Sequence, residues 1–317
     1  MPVLSLERRR MALGAEQRRR LEMATISQDP DLPLTSERRP HAATSLLEHC
    51  ANPGCRTGWM KLWRSRSAPV FEAGWSCSAE CTTHLVAAAL RREMDGRGSS
   101  IDSYRHRIPL GLLMMQQGWI TPQQLREAVD AQKAAGGGRL GHWLMRQQGI
   151  SEQLIARALG LQWGCPVLGM EFHDAEGLTS LVPRLFVDAF GALPLRVAAG
   201  KILYLGFEDR LDPVLALALE RMTGLRVESG IVTESEFRPA HTRLLSVRFP
   251  SVELVEAASE PVLVEALVRR LERSKPIESR LVRVHDCLWL RMWKRPQQGP
   301  VPASQTVEDL ICSVRPS

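Results

Sequence analysis

The chain has 317 residues, long enough for two or three compact units with cores of their own. Its apolar share of 44% is ordinary and its formal charge is a modest +6. No apolar run approaches membrane-spanning length and no hydrophobic stretch follows the basic N-terminus as a secretory signal would, so the sequence excludes a helical membrane protein and points to the cytoplasm.

Residues 1–44 read as a basic flexible tail. Arg8-Arg9-Arg10 and Arg18-Arg19-Arg20 are interleaved with Glu7, Glu16 and Glu22, a pattern that suits a solvated helix with i,i+4 pairs. From Asp29-Pro30 to Arg39-Pro40 the composition is that of a linker.

Residues 45–98 hold four of the seven cysteines, as Cys50-x4-Cys55 and Cys77-x3-Cys81. Two close pairs about twenty residues apart are what a tetrahedral zinc site with thiolate ligands requires. Asn52-Pro53-Gly54 is a turn sequence able to curl a knuckle around a metal. The second pair opens an amphipathic segment, which places Cys77 and Cys81 at a helix N-terminus, where thiolate is stabilised. Trp59, Leu62, Trp63, Phe71 and Trp75 offer a small core, and the order of knuckle, hairpin and helix resembles a treble-clef zinc finger. His49 and His84 rank below the cysteines as ligands. The competing account is four unrelated buried thiols; disulfides do not suit a chain without a secretory signal. A closed four-sulfur site leaves no open position for substrate, so its zinc is expected to be structural. The segment contains seven Arg/Lys and five Asp/Glu, and four thiolates with one zinc ion bring it near neutrality. That weakens a nucleic-acid role, which the cluster Arg56, Lys61, Arg64 and Arg66 beside tryptophans nevertheless keeps open.

Residues 104–165 repeat themselves at an offset of thirty. Leu110-Gly111 recurs as Leu140-Gly141, Ile120 as Ile150, Leu125 as Ile155, Val129 as Leu159 and Gln132 as Gln162. The unit reads as a helix opened by Leu-Gly, a glycine turn and a second helix, built twice to share a core. Thr121-Pro122 supplies an N-cap and a first helical proline, and Ser151 caps the second copy. The copies differ at two points. Pro109, with Arg107 two residues before it, stands where the second copy has Arg139, and the turn glycine moves from Gly118 to Gly149.

With Gly118-Trp119-Ile120-Thr121, Arg139-Leu140-Gly141 and the run from Leu159 to Pro166, the stretch from Arg107 to about Leu245 resembles the N-terminal domain of type II secretion and type IV pilus assembly ATPases. Some members of that family bind cyclic di-GMP through two tandem motifs of this kind. The resemblance implies ligand contacts from Leu110, Gly111, Leu125, Val129 and Gln132, then from Arg139, Leu140, Gly141, Ile155, Leu159 and Gln162. The chemistry is reasonable: a glycine at a helix start lets backbone N–H groups approach a phosphate, an arginine reaches a guanine edge, and leucines form an apolar floor. The bland account of the same aliphatic residues is helix core at i, i+4 spacing.

Residues 166–246 alternate between strand and helix: a strand entry at 166–172, a helix at 182–190, a hairpin of 193–197 with 201–207, a helix at 211–222, a strand at 226–232 and a helix at 234–244. Asp209, Asp212, Glu234 and Glu236 lie near turns or helix starts and read as caps. Residues 260–317 read as an amphipathic helix at 261–273, a hairpin at 279–293, a linker and a short terminal helix at 306–314. Cys165, Cys287 and Cys312 have no local partner, and none reads as a nucleophile.

The fold class expected is therefore α+β multidomain: zinc finger, helical tandem-motif subdomain, small α/β subdomain, and a C-terminal helix plus hairpin. No phosphate-cradling G-x-x-x-x-G-K-[ST] loop is present, and the residues after the recognised domain are too few for a nucleotide-hydrolysing domain. The expected function is a non-enzymatic regulatory or adaptor protein of secretion or pilus systems, with cyclic di-GMP and an assembly ATPase as candidate partners. The alternative is a zinc-finger nucleic-acid-binding protein that uses the secretion-type domain for protein contacts.

Overall fold

The computed structural model describes residues 50–56, 68–72, 74–95, 107–170 and 177–314. The tail at 1–44, His49, Trp59, Leu62, Trp63 and the basic residues Lys61, Arg64 and Arg66 lie outside these residues. Among the described residues no helix is long and apolar enough to cross a membrane.

Strands β1 (Val70–Phe71) and β2 (Gly74–Trp75) form a short antiparallel ribbon that leads into helix α1 (Ala79–Asp95). Four helices follow: α2 (Leu110–Gln116), α3 (Pro122–Ala134), α4 (Leu140–Gln148) and α5 (Glu152–Trp163). Thr121 and Gln124 close a reciprocal capping box at the start of α3, and the Ser151 hydroxyl accepts from the Leu154 N–H at the start of α5. Gly118 and Gly149 both adopt the left-handed backbone that ends the first helix of each copy. Their shift by one residue in sequence thus serves the same turn.

The next layer comprises α6 (Arg184–Phe190), β3 (Leu193–Ala198), β4 (Ile202–Phe207), α7 (Pro213–Thr223), β5 (Arg226–Ile231) and α8 (Glu234–Ser246). The sheet order is β3-β4-β5, antiparallel across the hairpin and parallel across the α7 crossover. Of the strand entry expected at 166–172, the described residues 166–170 form an isolated bridge between Val167 and Ile231, and 171–172 lie outside the described residues. Pro166 has no N–H to donate to a ladder.

The last layer is β6 (Val252–Ala257), α9 (Glu260–Ser274), β7 (Glu278–Val284), β8 (Cys287–Trp293) and β9 (Val307–Val314), in a four-stranded sheet of order β6-β9-β8-β7. Here the structure corrects the sequence reading. The segment expected as a terminal helix is strand β9, placed inside the sheet between β6 and β8. Leu310 and Cys312 face one layer while Val307 and Ile311 face the other, so burial on both sides erases the alternation that marks a strand. The expected hairpin at 279–293 is present as β7 with β8, and β9 and β6 extend it to a four-stranded sheet beside α9.

Both faces of this sheet are covered. Leu281, Leu288, Leu290 and Leu310 pack against Val86, Ala89 and Leu90 of α1 and Leu263, Leu267 and Leu271 of α9. On the opposite face Trp289, Trp293 and Ile311 join Phe186, Leu215, Leu219 and Met222 of the α/β layer. Inside that second core Arg291 and Asp309, each 1% exposed, form a bidentate pair with bonds of 2.7 Å. Asp309 also accepts from the Trp289 indole at 2.8 Å, and Arg291 reaches the Leu181 carbonyl at 3.2 Å. A buried ion pair tolerates its desolvation only with hydrogen bonds of this kind.

Glu93, at the end of α1, is the second buried charge. Its carboxylate accepts from Arg92 at 2.9 Å, from Arg221 of α7 at 2.9 Å and from the Arg283 N–H of β7 at 3.1 Å. Burial alone would raise its pKa, but donation from Arg221 and Arg92 outweighs it and holds the carboxyl below its usual value of 4.5. Because the folded pKa is depressed, the stabilisation is present above the unfolded value and disappears as pH falls through the folded one. Glu93→Gln is expected to lower the unfolding free energy at neutral pH by roughly 3 kcal/mol. The same variant should lose less further stability on acidification than the parent chain, as read by denaturant melts at neutral and acid pH.

Candidate functional site

The two copies of the helical repeat interlock. A Cβ at Gly111 would stand 2.5 Å from Leu125 Cδ1 and 3.1 Å from Leu140 Cδ2; one at Gly141 would stand 2.9 Å from Ile155 Cγ2 and 4.0 Å from Leu110 Cδ2. Each glycine therefore lets its helix press on the second helix of its own copy and on the leucine of the other. The glutamines behave in the same reciprocal way. Gln132 donates its side-chain amide to the Gly138 carbonyl, and Gln162 donates to the Ile108 carbonyl at 2.7 Å. The acceptors, like the donors, are thirty residues apart, so the contacts relate the copies by an approximate two-fold rotation. Leu113, Met114, Ile120, Ala128, Leu144, Ile155 and Ala158 fill the core between them.

A cleft of about 240 Å³ opens where the second copy meets the α/β layer. Its apolar floor includes Leu110, Leu140, Met145, Ile155, Ala156 and Leu159, and its rim carries Arg139, His142 and Glu152. The facing wall is Glu208 and Asp209 after β4, with Val232, Thr233 and Glu234 at the start of α8. Six of the eleven ligand candidates line it: Leu110, Arg139, Leu140, Gly141, Ile155 and Leu159. Gly111, Leu125, Val129, Gln132 and Gln162 do not, and the contacts above give Gly111, Leu125 and both glutamines a packing or bracing task.

Arg139, half exposed, pairs with Glu208 and through Nε with Asp209 at 3.1 Å. Glu208 also takes Arg238 at 3.1 Å. Glu152 accepts from both the backbone N–H and the hydroxyl of Ser235 at 2.6 Å, and the Trp163 indole donates to the Asp209 carbonyl at 3.0 Å. These bonds seat the repeat on the α/β layer and hold the guanidinium at the cleft mouth. Sequence reading missed the acidic wall because Glu208 lies 69 residues from its arginine. Asp212 does cap α7, its carboxylate accepting the Leu215 N–H at 2.9 Å.

The four cysteines Cys50, Cys55, Cys77 and Cys81 converge, with all Sγ atoms within 4.8 Å of one another. Cys77 Sγ stands 3.5 Å from Cys55 Sγ and 3.7 Å from Cys81 Sγ. Tetrahedral zinc with Zn–S of about 2.3 Å sets S···S edges of about 3.8 Å, whereas a disulfide needs about 2.05 Å. The donor set thus fits one tetrahedral cation. The Cys77 N–H points to Cys50 Sγ at 3.4 Å, and the Asn52 amide donates to Cys81 Sγ at 3.3 Å while its oxygen accepts from the Gly54 N–H at 3.1 Å. Such donors disperse thiolate charge, as does the N-terminus of α1, where Cys81 occupies the first turn. Burial pushes the Cys50 thiol up to about 12, so a cation is what would bring its proton off. Exposed His84 is not part of the cluster.

No protein-family model matches the chain. PilB, the type IV pilus assembly ATPase of Myxococcus xanthus, is 28% identical over 145 residues, which cover 45% of this chain and 25% of that one. PilB of Thermus thermophilus is 30% identical over 193 residues, or 50% and 21% of the two chains. Bacteriophage adsorption protein B of Escherichia coli K12 is 32% identical over 132 residues, or 40% and 17%. The chain thus spans a quarter or less of the length of these curated relatives. Among solved structures, MshE with cyclic di-GMP shares 26% identity over 44% of this chain and 99% of its own, at a TM-score of 0.36. The N-terminal domain of XpsE shares 20% over 42% and 92%, at 0.29. Part of this chain is thus similar in sequence to part of the type IV pilus assembly ATPases, and the four-cysteine cluster precedes that part in the chain.

Proposed function

We propose that the chain is a non-enzymatic regulatory or adaptor protein of pilus or secretion systems, which binds cyclic di-GMP at the cleft of its second repeat and acts on an assembly ATPase. The observation that carries this reading is the convergence of six motif residues on one apolar cleft with an arginine at its mouth. A guanine face suits the floor of Leu110, Leu140, Ile155 and Leu159, and Arg139 matches the O6/N7 edge. The opposite base edge offers N–H donors, which suit Asp209 and Glu234. The start of α4 presents backbone N–H groups with no side-chain cap, an arrangement that favours a phosphate. The non-enzymatic part of the proposal rests on the lack of a phosphate-cradling loop in the sequence.

The cysteine cluster we assign to one structural zinc ion. It would be held by Cys50, Cys55, Cys77 and Cys81 and would supply no chemistry beyond fixing the start of α1. Through α1 it supports the core shared with α9 and the C-terminal sheet.

Two measurements check these assignments. Calorimetric titration of the full chain with cyclic di-GMP should give a Kd of about 1 μM or tighter, weakened about tenfold or more in Arg139→Ala; no heat from folded protein would defeat the reading. Metal analysis should find about one zinc per chain, and Cys77→Ser should reduce it and lower the melting temperature. Folded parent protein free of zinc after purification without chelator would contradict the metal assignment.

A further inference from the structure

The repeat is two-fold in shape but not in chemistry. The offset that carries Leu140-Gly141 onto Leu110-Gly111 carries Arg139 onto Pro109. Both residues precede the first turn of their helices with nearly the same backbone, φ −54° and ψ 139° for Pro109 against φ −84° and ψ 133° for Arg139, and both are exposed. The nearby Arg107 does not replace the missing guanidinium. It lies 3.4 Å over the Trp163 ring and reaches the Gln162 carbonyl at 3.5 Å, which ties it to the end of α5.

The cleft shares this asymmetry. Apart from Leu110, every repeat residue that lines it belongs to the second copy. The bonds that build its far wall, Arg139 to Glu208 and Glu152 to Ser235, also leave from the second copy.

We propose that the site grips one half of a two-fold-symmetric guanine dinucleotide, through the second copy alone, and that Pro109 is the residue that sets this one-sidedness. The inference rests on the reading of the cleft as a guanine-nucleotide site. A cyclic dinucleotide held by both halves gains the avidity of two linked contacts; held by one half, it gains little over a mononucleotide. Pro109 withholds the second contact without any backbone need to do so, since its φ and ψ are open to arginine.

The experiment is calorimetric titration of the full chain with cyclic di-GMP and, separately, with GMP, in the parent, Pro109→Arg and Arg139→Ala proteins. The parent should bind the two nucleotides within about tenfold of each other, and Arg139→Ala should weaken both by about tenfold or more. Pro109→Arg should tighten cyclic di-GMP by about tenfold while moving GMP at the existing cleft by no more than about twofold. A parent that prefers cyclic di-GMP by about a hundredfold or more would overturn the inference and leave the cyclic di-GMP reading standing. So would a Pro109→Arg protein that melts like the parent and binds cyclic di-GMP no better. The parent ratio decides the matter even if the substitution disturbs folding. Failure of the folded parent to bind either nucleotide would instead remove the reading on which the inference rests.

Discussion

The central part of this protein depends on how closely its helices approach at Gly111 and Gly141. With no Cβ at either position, Leu125 and Ile155 come within what would be collision distance, and Leu110 and Leu140 cross to the opposite copy. A methyl group at these sites would press on side chains already in van der Waals contact, and interiors packed to this density transmit such strain. The reciprocal glutamine bonds then fix the residues that precede each Leu-Gly pair. Placement of Arg139, and hence of the cleft mouth, follows from this closure.

Charge is distributed to match. Among the described residues the two buried carboxylates, Glu93 of α1 and Asp309 of β9, are each satisfied by arginine and by a further donor; Glu93 ties α1 to α7 and β7, and Asp309 ties β9 to β8. Around the cleft the carboxylates of Glu152, Glu208, Asp209 and Glu234 outnumber Arg139 and Arg238. That wall disfavours a phosphate inside the cleft and favours the donor edge of a base, leaving phosphate to the helix start at its rim. The cysteine segment is coupled to the same body, because the helix that begins at the thiols contributes to the core under the C-terminal sheet.

Much of this was legible in the sequence wherever local chemistry decides structure. Thr121-Pro122 and Ser151 mark helix starts because their side chains satisfy orphan N–H groups. The hairpin at 193–207 shows through its turn at Ala198-Ala199-Gly200, and the four cysteines show through spacing alone. What stayed hidden depends on distant contacts. Strand β9 is buried on both faces and so lost its alternation, and edge strand β6 carries Leu254 at 66% exposure among glutamates, which blurs any pattern. The union of α1 with the C-terminal sheet leaves no local signal either, for Val86 and Leu90 look the same whether they cover a small zinc module or a larger core. Asp209 likewise read as a turn residue until its partner, Arg139, was brought to it by the fold.

The occupant of the cleft is tested most directly by a two-dimensional NMR titration of the labelled full chain with cyclic di-GMP. The largest shifts are expected at the backbone amides of Arg139, Leu140 and Gly141 and at the methyl groups of Ile155 and Leu159, with the amides of Cys77 and Cys81 unmoved. Shifts centred on α1 or the C-terminal sheet, or on α2 without α4, would contradict binding at the cleft.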